Sequence, residues 1–230
     1  MKSPTPFYES YALFVILGHY GSGKTNLALN LAKKLKELGR EPLVIDLDIV
    51  NPYFRSTDYL ELMEDQGVRV VGPALGSLSL DIPSLAPGID AMIERATLQE
   101  PVIIDVGGDP DGARALVRYT PAINCAQRTL VLLVVNLRRP ETQSLEGNLK
   151  MIAEILETTS LPIDALIGNT HLAEFTTQET VEQSLPLLKE LSERSNLQIV
   201  ALTMPQGVYE TIEDKTSYLS VERLVKTNWQ

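Results

Sequence analysis

The sequence has few of the residues that build disulfide frameworks and soft-metal sites. Of its 230 residues, one is cysteine (Cys125) and two are histidine. A single cysteine excludes an internal disulfide, a Cys-x-x-Cys pair and a four-cysteine metal site within one chain. We therefore expect a buried thiol at Cys125 and a reducing compartment. Delivery of soft metals is disfavoured for the same reason.

Long apolar runs and an excess of positive charge are also missing. No apolar run approaches the length of a membrane span, and residues 1–10 lack the profile of a signal peptide, so we expect a cytoplasmic protein. The formal net charge is −10, which disfavours broad binding to nucleic acid or to an anionic membrane. The basic group Lys33, Lys34 and Lys36 is expected to be the solvated face of a helix, and Arg138-Arg139 is the other tight basic pair.

What the sequence does contain is a phosphate-binding loop pattern at residues 18–25, which fits G-x-x-x-x-G-K-T without a mismatch. An apolar run precedes it and a stretch with helical leucine spacing follows it. Glycines let backbone N–H groups wrap closely around a polyphosphate, and the helix adds the positive end of its dipole. The residues predicted to contact the nucleotide are Gly18, His19, Tyr20, Gly21, Ser22, Gly23, Lys24, Thr25 and Asn26.

Apolar runs alternate with helical stretches along the whole chain. Several runs are continuous, which is typical of strands buried on both faces of a parallel sheet. The predicted strands are residues 11–17, 43–47, 68–71, 102–106, 130–135, 163–167 and 198–202. The predicted helices are residues 24–38, 88–98, 112–118, 141–157 and 178–195. The pattern predicts one α/β domain over residues 1–230, a three-layer α/β/α sandwich with a mostly parallel central sheet.

Two predicted strand ends carry acidic residues. Asp46 and Asp48 follow the second strand, and the fourth strand ends in Asp105-Val106-Gly107-Gly108. In doubly wound sheets, ligands lie beyond the carboxyl ends of the strands, and neighbouring carboxylates need a cation or a hydrogen-bond donor close by. We therefore predict that Asp105 is a Walker B acid, which holds a metal-bound water, and that Gly108 brings a backbone amide to the γ-phosphate.

Together, these motifs resemble the MinD/ParA-type ATPases. The resemblance rests on the phosphate-binding loop, an Asp-x-Asp strand end followed by Asn-Pro, and an acid–x–Gly-Gly strand end, and it spans nearly the whole chain. The same class contains the nitrogenase iron protein and the cobyrinic-acid and dethiobiotin synthetases. The resemblance implies the P-loop NTPase fold and a Mg²⁺-dependent ATPase. It further implies a nucleotide-controlled switch, slow without its protein partner.

The resemblance also implies a role for individual residues. Lys24 would hold phosphates and Asp48 would position the attacking water. The remaining roles are Mg²⁺ binding by Thr25, Asp46 and Asp105, γ-phosphate binding by Gly108, and contact with the base by Asn169 and Pro205. The sequence lacks Asn-Lys-x-Asp, so the guanine-reading acid is missing and ATP is favoured over GTP.

One departure from that family leaves alternatives open. His19 stands where MinD and ParA proteins carry a lysine that reaches across a nucleotide-sandwich homodimer, so either His19 or Arg55 could act in trans, while His19 could also simply pack within its loop. An amidoligase- or kinase-like enzyme, with the loop at residues 72–88 covering its substrate, is a second interpretation, and a noncatalytic nucleotide-binding module is a third. Residues 221–230 are predicted to form a short amphipathic helix that docks on its own domain.

Overall fold

A computed structural model describes residues 6–48, 62–72, 88–108, 110–171 and 175–225. The strands within these ranges are β1 (Leu13–Leu17), β2 (Leu43–Asp46), β3 (Arg69–Val71), β4 (Val102–Asp105), β5 (Thr129–Val135), β6 (Ala165–Gly168), β7 (Gln198–Pro205) and β8 (Tyr218–Val221). They form one sheet in the order β3-β2-β4-β1-β5-β6-β7-β8, and each neighbouring pair is parallel. Parallel sheets are covered on both faces, which explains the continuous apolar runs of the sequence.

Helices connect these strands. They are α1 (Lys24–Glu37), α2 (Ile89–Glu94), α3 (Pro110–Val117), α4 (Thr120–Cys125), α5 (Leu145–Thr159), α6 (Gln178–Glu182), α7 (Leu185–Ser195) and α8 (Gln206–Tyr209). Short 3₁₀ helices lie at Phe7–Ser10 and Pro140–Thr142, and residues 62–65 are also helical. Over the described residues, no helix is both long and apolar enough to cross a membrane.

The central strand β1 feeds two separate cores. Leu13, Val15 and Leu17 pack on the face covered by α2 to α7. Phe14 and Ile16 pack on the other face, against the apolar side of α1. This division follows from the alternation of side chains along a strand. The result is a three-layer α/β/α sandwich, and the predicted fold class is confirmed.

Two predicted helices have different boundaries in the structure, one because of a proline and the other because of a capping side chain. The predicted helix at residues 178–195 is two helices, because Pro186 lies in the first turn of α7, where its missing N–H is tolerated. The predicted helix at residues 141–157 begins later, at Leu145, where the Ser144 side chain caps it by accepting a hydrogen bond from the Gly147 N–H.

The predicted tail helix is wrong over its described part. Val221 ends strand β8, and residues 222–225 continue without helix, held against α1. Asn26 Nδ2 and Asn30 Nδ2 each donate to Glu222 O at 2.9 Å. The tail therefore docks on its own domain, as expected, but as extended chain.

The lysines of α1 take part in this docking. Lys33 Nζ lies 2.6 Å from a carboxylate oxygen of Glu222, and Lys34 Nζ donates to Ser220 Oγ at 2.7 Å. Burial lowers the pKa of Lys34. Of the three lysines expected on a solvated face, Lys33 and Lys34 instead fasten the C-terminal strand and tail.

Cys125 is exposed, so the prediction of a buried thiol is wrong. It is the last residue of α4, a helix that turns Ala122 and Ile123 towards the core instead. Three other predictions concern residues outside the described ranges: Arg55, the loop within residues 73–87, and the end of the tail at residues 226–230.

Candidate phosphate-binding site

The loop at residues 18–25 lies at the centre of the sheet edge. It follows β1, which runs between β4 and β5, so the carboxyl ends of both neighbours flank it. Gly23, with φ of 91°, is the N-cap of α1, and Gly21 also has a left-handed φ of 72°. These glycines let the chain turn back over the helix N-terminus, where the first N–H groups have no partner within the helix. An anion bound in the loop would meet those groups.

Three successive loop residues are each hydrogen-bonded to a residue beyond a different strand end, that of β4, β5 or β6. The bonds are Tyr20 N–H to Gly108 O (3.1 Å), Arg139 Nε to Gly21 O (2.9 Å) and Asn169 Nδ2 to Ser22 O (2.6 Å). Because the sheet fixes the three strand ends, these bonds fix the loop backbone relative to the sheet. Such preorganisation spares a ligand the cost of ordering the loop.

Lys24 is enclosed between the loop and the end of β4. Lys24 is 7% exposed, and its Nζ donates a hydrogen bond to His19 O at 3.1 Å. A Cβ atom added to Gly108 would lie 2.6 Å from Nζ, which places the ammonium directly beside this glycine. The predicted neighbours Lys24 and Gly108 are therefore brought together.

The acidic residues meet next to Lys24. Asp46 and Asp105 are register partners on adjacent strands and are 8% and 2% exposed. Asp48 lies beyond the end of β2, and its N–H donates to Asp46 Oδ1 at 2.8 Å. The pKa of Asp105 is raised to about 7, first by burial and then by the charge of Asp46, while the charge of Lys24 opposes the rise. Two carboxylates at this edge therefore repel each other across a largely water-free space.

The donor set around Asp105 fits Mg²⁺. The Thr25 hydroxyl is hydrogen-bonded to the Asp105 carboxylate, and among the described residues Asp105 Oδ1 has no hydrogen-bond partner. Carboxylate and hydroxyl oxygens are the ligands that this hard cation prefers. No cluster of three or more His, Cys, Asp and Glu occurs in the described chain. Mg²⁺ held with a nucleotide needs no such cluster, because phosphates and water complete its shell.

This acid pair predicts how stability depends on pH in the metal-free protein. The pKa of Asp105 is 3.8 unfolded and about 7 folded, so its contribution is fully present below about pH 4 and is lost as pH rises through 7. Asp105→Asn removes this titration. At pH 8 in EDTA we expect Asp105→Asn to raise the free energy of unfolding by about 1–3 kcal/mol, and at pH 4 we expect no gain.

Urea unfolding of wild type and Asp105→Asn at both pH values measures this difference. Asp65→Asn, which changes an exposed acid, is the matched control and is expected to shift neither value by more than about 0.5 kcal/mol. An equal effect of Asp105→Asn at pH 4 and pH 8 would contradict the raised pKa.

Of the two predicted base-contacting residues, Asn169 contacts the loop directly. Asn169 is 7% exposed; besides its bond to Ser22, its Oδ1 accepts from the Thr203 hydroxyl of β7. The bond to Ser22 O uses one of the two hydrogens on Asn169 Nδ2. Pro205 is the last residue of β7, two residues beyond Thr203. Asn169 thus ties the loop to β6 and β7, while its contact with a base stays a prediction.

His19 and Asn26 have partners of their own. His19 Nδ1 lies 3.2 Å from Tyr20 O and 3.9 Å from a carboxylate oxygen of Glu141. The Asn26 side chain faces the tail, where its Oδ1 accepts from Leu224 N–H at 2.9 Å. Any contact of Asn26 with a nucleotide would therefore come from its backbone at the first turn of α1. His19 thus contacts its own loop in this structure, while the choice between this role and one in trans stays a prediction.

The sequence did not identify the connection between β5 and α5 as part of this site. Two residues of this connection contact the loop: Arg139 donates to Gly21 O, and Glu141 lies 3.9 Å from His19 Nδ1. Both contacts span more than one hundred residues of sequence. The basic pair Arg138-Arg139 was the one available signal, and it did not indicate which arginine faces the loop.

The parallel sheet, the glycine loop at the end of its central strand and the helix that follows define the P-loop NTPase fold. Solved structures share this fold. The chain is similar to the cell division protein FtsY of Thermotoga maritima, with a TM-score of 0.55 and 16% identity over 94% of this chain and 65% of that one. It is similar to chloroplast FtsY of Physcomitrella patens, with a TM-score of 0.56 and 18% identity over 97% of this chain and 64% of that one.

A third similar structure is the signal recognition particle 54 kDa protein of Aeropyrum pernix, solved in complex with GDP, with a TM-score of 0.51 and 17% identity over 84% of this chain and 41% of that one. The chain thus spans less than two thirds of the length of these proteins. No protein-family model matches the chain, and no curated protein matches it. At this identity the likeness establishes the shared fold.

Proposed function

We propose that the protein is a Mg²⁺-dependent nucleoside triphosphate hydrolase that acts as a nucleotide-controlled switch. The observation that carries this proposal is the enclosed Lys24 ammonium, set between a pre-formed loop of backbone amides and the Asp46–Asp105 carboxylate pair. Positive charge on one side and paired acids on the other suit a polyphosphate together with its cation. The MinD/ParA-type resemblance agrees with this arrangement and belongs to the same proposal.

Each residue has a defined task in hydrolysis. Water attacks the γ-phosphorus in line with the bond to the leaving oxygen, and the products are the diphosphate and inorganic phosphate. Lys24 and the loop amides hold the phosphate oxygens, and Asp48 positions the attacking water. Thr25, Asp46 and Asp105 would hold Mg²⁺, directly or through water, and the bound ion would neutralise phosphate charge. Most of the rate acceleration then comes from positioning and fixed charge.

The switch would operate through the contact between Gly108 and Tyr20. In this structure Gly108 O accepts the Tyr20 N–H, so the end of β4 and the loop are directly connected. A γ-phosphate that draws on the Gly108 amide would move this segment, and its loss on hydrolysis would release it. A protein partner, or a second copy of this chain in a nucleotide-dependent homodimer, would detect the change. We expect slow turnover without the protein partner.

We propose ATP as the nucleotide. A guanine is read by an acid that accepts hydrogen bonds from its N1 and N2 groups, and the sequence after β6, Asn169-Thr170-His171-Leu172, has leucine where that acid belongs. GTP is the second candidate, because two of the similar solved structures hold GDP, the Aeropyrum pernix protein and FtsY of Elizabethkingia anophelis. Asn169 would contact N7 of either purine, so it does not discriminate between them.

Calorimetric titration of the full chain tests both levels of the proposal. With millimolar Mg²⁺, we expect ATP to bind at least about tenfold more tightly than GTP, since a site without the matching acid leaves guanine donors unpaired. With EDTA in place of Mg²⁺, the affinity should fall. Tighter binding of GTP would overturn the choice of base and leave the switch in place. No heat from either nucleotide would overturn the proposed function itself.

A further inference from the structure

The contact between Arg139 and Gly21 distinguishes this loop from a bare glycine turn. Arg139 Nε donates to Gly21 O at 2.9 Å, and the guanidinium packs so closely that a Cβ atom on Gly21 would lie 2.9 Å from Cζ. Gly21 has a left-handed φ of 72°, which leaves its carbonyl free to point outwards to this partner. The guanidinium therefore fastens the loop at the residue where its backbone turns.

The chain segment that carries Arg139 is itself fixed by buried hydrogen bonds. Asn136 Oδ1 accepts from the Arg138 N–H at 3.0 Å, and the Thr142 hydroxyl donates to Asn136 O at 2.6 Å. Asn148 Nδ2 of α5 then donates to Thr142 O at 2.8 Å. Asn136, Thr142 and Asn148 are each 1% exposed or less. Arg139 thus projects from a rigid base, and little entropy is lost when it engages a ligand.

The remaining donors of Arg139 are available at the mouth of the loop. Arg139 is exposed, and among the described residues its Nη atoms have no hydrogen-bond acceptor. A guanidinium is always charged, and its planar fork matches phosphate oxygens. The charge of Arg139 also acts on the segment after β6: burial lowers the pKa of His171, and the charges of Arg139 and Arg223 lower it further. Glu141, 3.9 Å from His19, is the opposing charge nearby.

We propose that Arg139 is a positioning residue of the phosphate site: it holds Gly21, and with it the crest of the loop, in the conformation that binds phosphate, and it adds a second fixed positive charge beside Lys24. This inference rests on the proposed function and deepens it. It implies that the contribution of Arg139 grows with the charge of the nucleotide, so that a triphosphate gains more than a monophosphate. A role in the fold as a whole, without a particular task at the phosphate site, would affect all nucleotides alike.

Arg139→Gln tests the inference, because glutamine is polar and suits an exposed position but carries no charge. In calorimetry with Mg²⁺, we expect its affinity for ATP to fall about tenfold or more, the usual scale for a charged hydrogen bond. Affinity for AMP should change by less than about threefold, and Arg139→Lys should recover part of the lost ATP affinity. Arg138→Gln is the matched control, since the Arg138 guanidinium donates to Gln183 Oε1 at 3.1 Å, whereas Arg139 donates to the loop. We expect it to bind ATP as wild type does.

The outcomes separate this inference from the proposed function. If wild type and Arg138→Gln bind ATP and Arg139→Gln binds it equally well, Arg139 has no positioning role. If Arg139→Gln loses ATP and AMP affinity in equal proportion, Arg139 supports the fold as a whole and has no particular task at the phosphate site, and the inference is wrong. If Arg139→Gln fails to fold, Arg139→Lys is measured instead, and its ratio of ATP affinity to AMP affinity is compared with that of wild type. An equal ratio supports the role of charge. A ratio that falls towards one overturns the inference. If wild type binds neither ATP nor GTP, the proposed function itself fails, and this inference with it.

Discussion

Replacing Lys24 with alanine is expected to lower the affinity for ATP with Mg²⁺ at least about 100-fold, because a charged hydrogen-bond donor to the phosphates is lost in an enclosed site. Lys24 is 7% exposed and bonded to His19 O inside its own loop. The loop amides and the helix dipole remain, but they carry partial charges, and the acid pair Asp46–Asp105 then repels the incoming phosphates without its counterion.

Calorimetry on the variant measures the loss directly, and an unchanged ATP affinity would contradict the assignment of the loop. Lys36→Ala is the matched control, because Lys36 lies on the same helix and pairs with exposed Glu41 at 2.8 Å. We expect it to bind ATP within about twofold of wild type, since an exposed ion pair contributes little. Melting curves of both variants distinguish loss of the site from loss of the fold.

The local part of the site was predictable from sequence because its signals lie within a few residues of each other. The loop, the strand before it and the helix after it occupy residues 13–37, and each has its own pattern of glycine or apolar spacing. The acids at the ends of β2 and β4 were predictable too, since parallel strands bring their carboxyl ends to one edge. The register pair Asp46 and Asp105 shows how close this brings them.

Contacts that join distant segments could not be predicted in this way. Strand β8 was missed because Tyr218–Val221 is short and lies at the sheet edge, where its pairing with β7 decides its conformation. The apolar spacing of the tail instead suggested a helix, which the bonds from Asn26 and Asn30 override. The bond from Arg139 to Gly21 crosses 118 positions. One-dimensional spacing carries no information on such pairs.

The second large effect is expected for Gly108→Ala. A Cβ atom at this position would lie 2.6 Å from Lys24 Nζ and would also collide with the backbone of Tyr20. The end of β4 would then move away from the loop, and the Gly108 amide would no longer reach the γ-phosphate, the role that the proposed function gives it. Removal of one such donor typically costs a factor of about 10² to 10³ in rate. We expect hydrolysis to fall by about 100-fold and ATP affinity by less than about tenfold, since the loop and the α1 N-terminus still bind the phosphates.

Single-turnover phosphate release, together with calorimetry, separates these two quantities. Gly207→Ala is the matched control, because an added Cβ atom there meets no atom within 4 Å, and we expect its rate to stay within about twofold of wild type. Hydrolysis at the wild-type rate in Gly108→Ala would mean that the end of β4 takes no part in the reaction. Equal losses in rate and affinity would place Gly108 in binding alone. A selective loss of rate is expected because the displaced Gly108 amide would no longer stabilise the γ-phosphate in the transition state, while the loop amides would still bind the nucleotide.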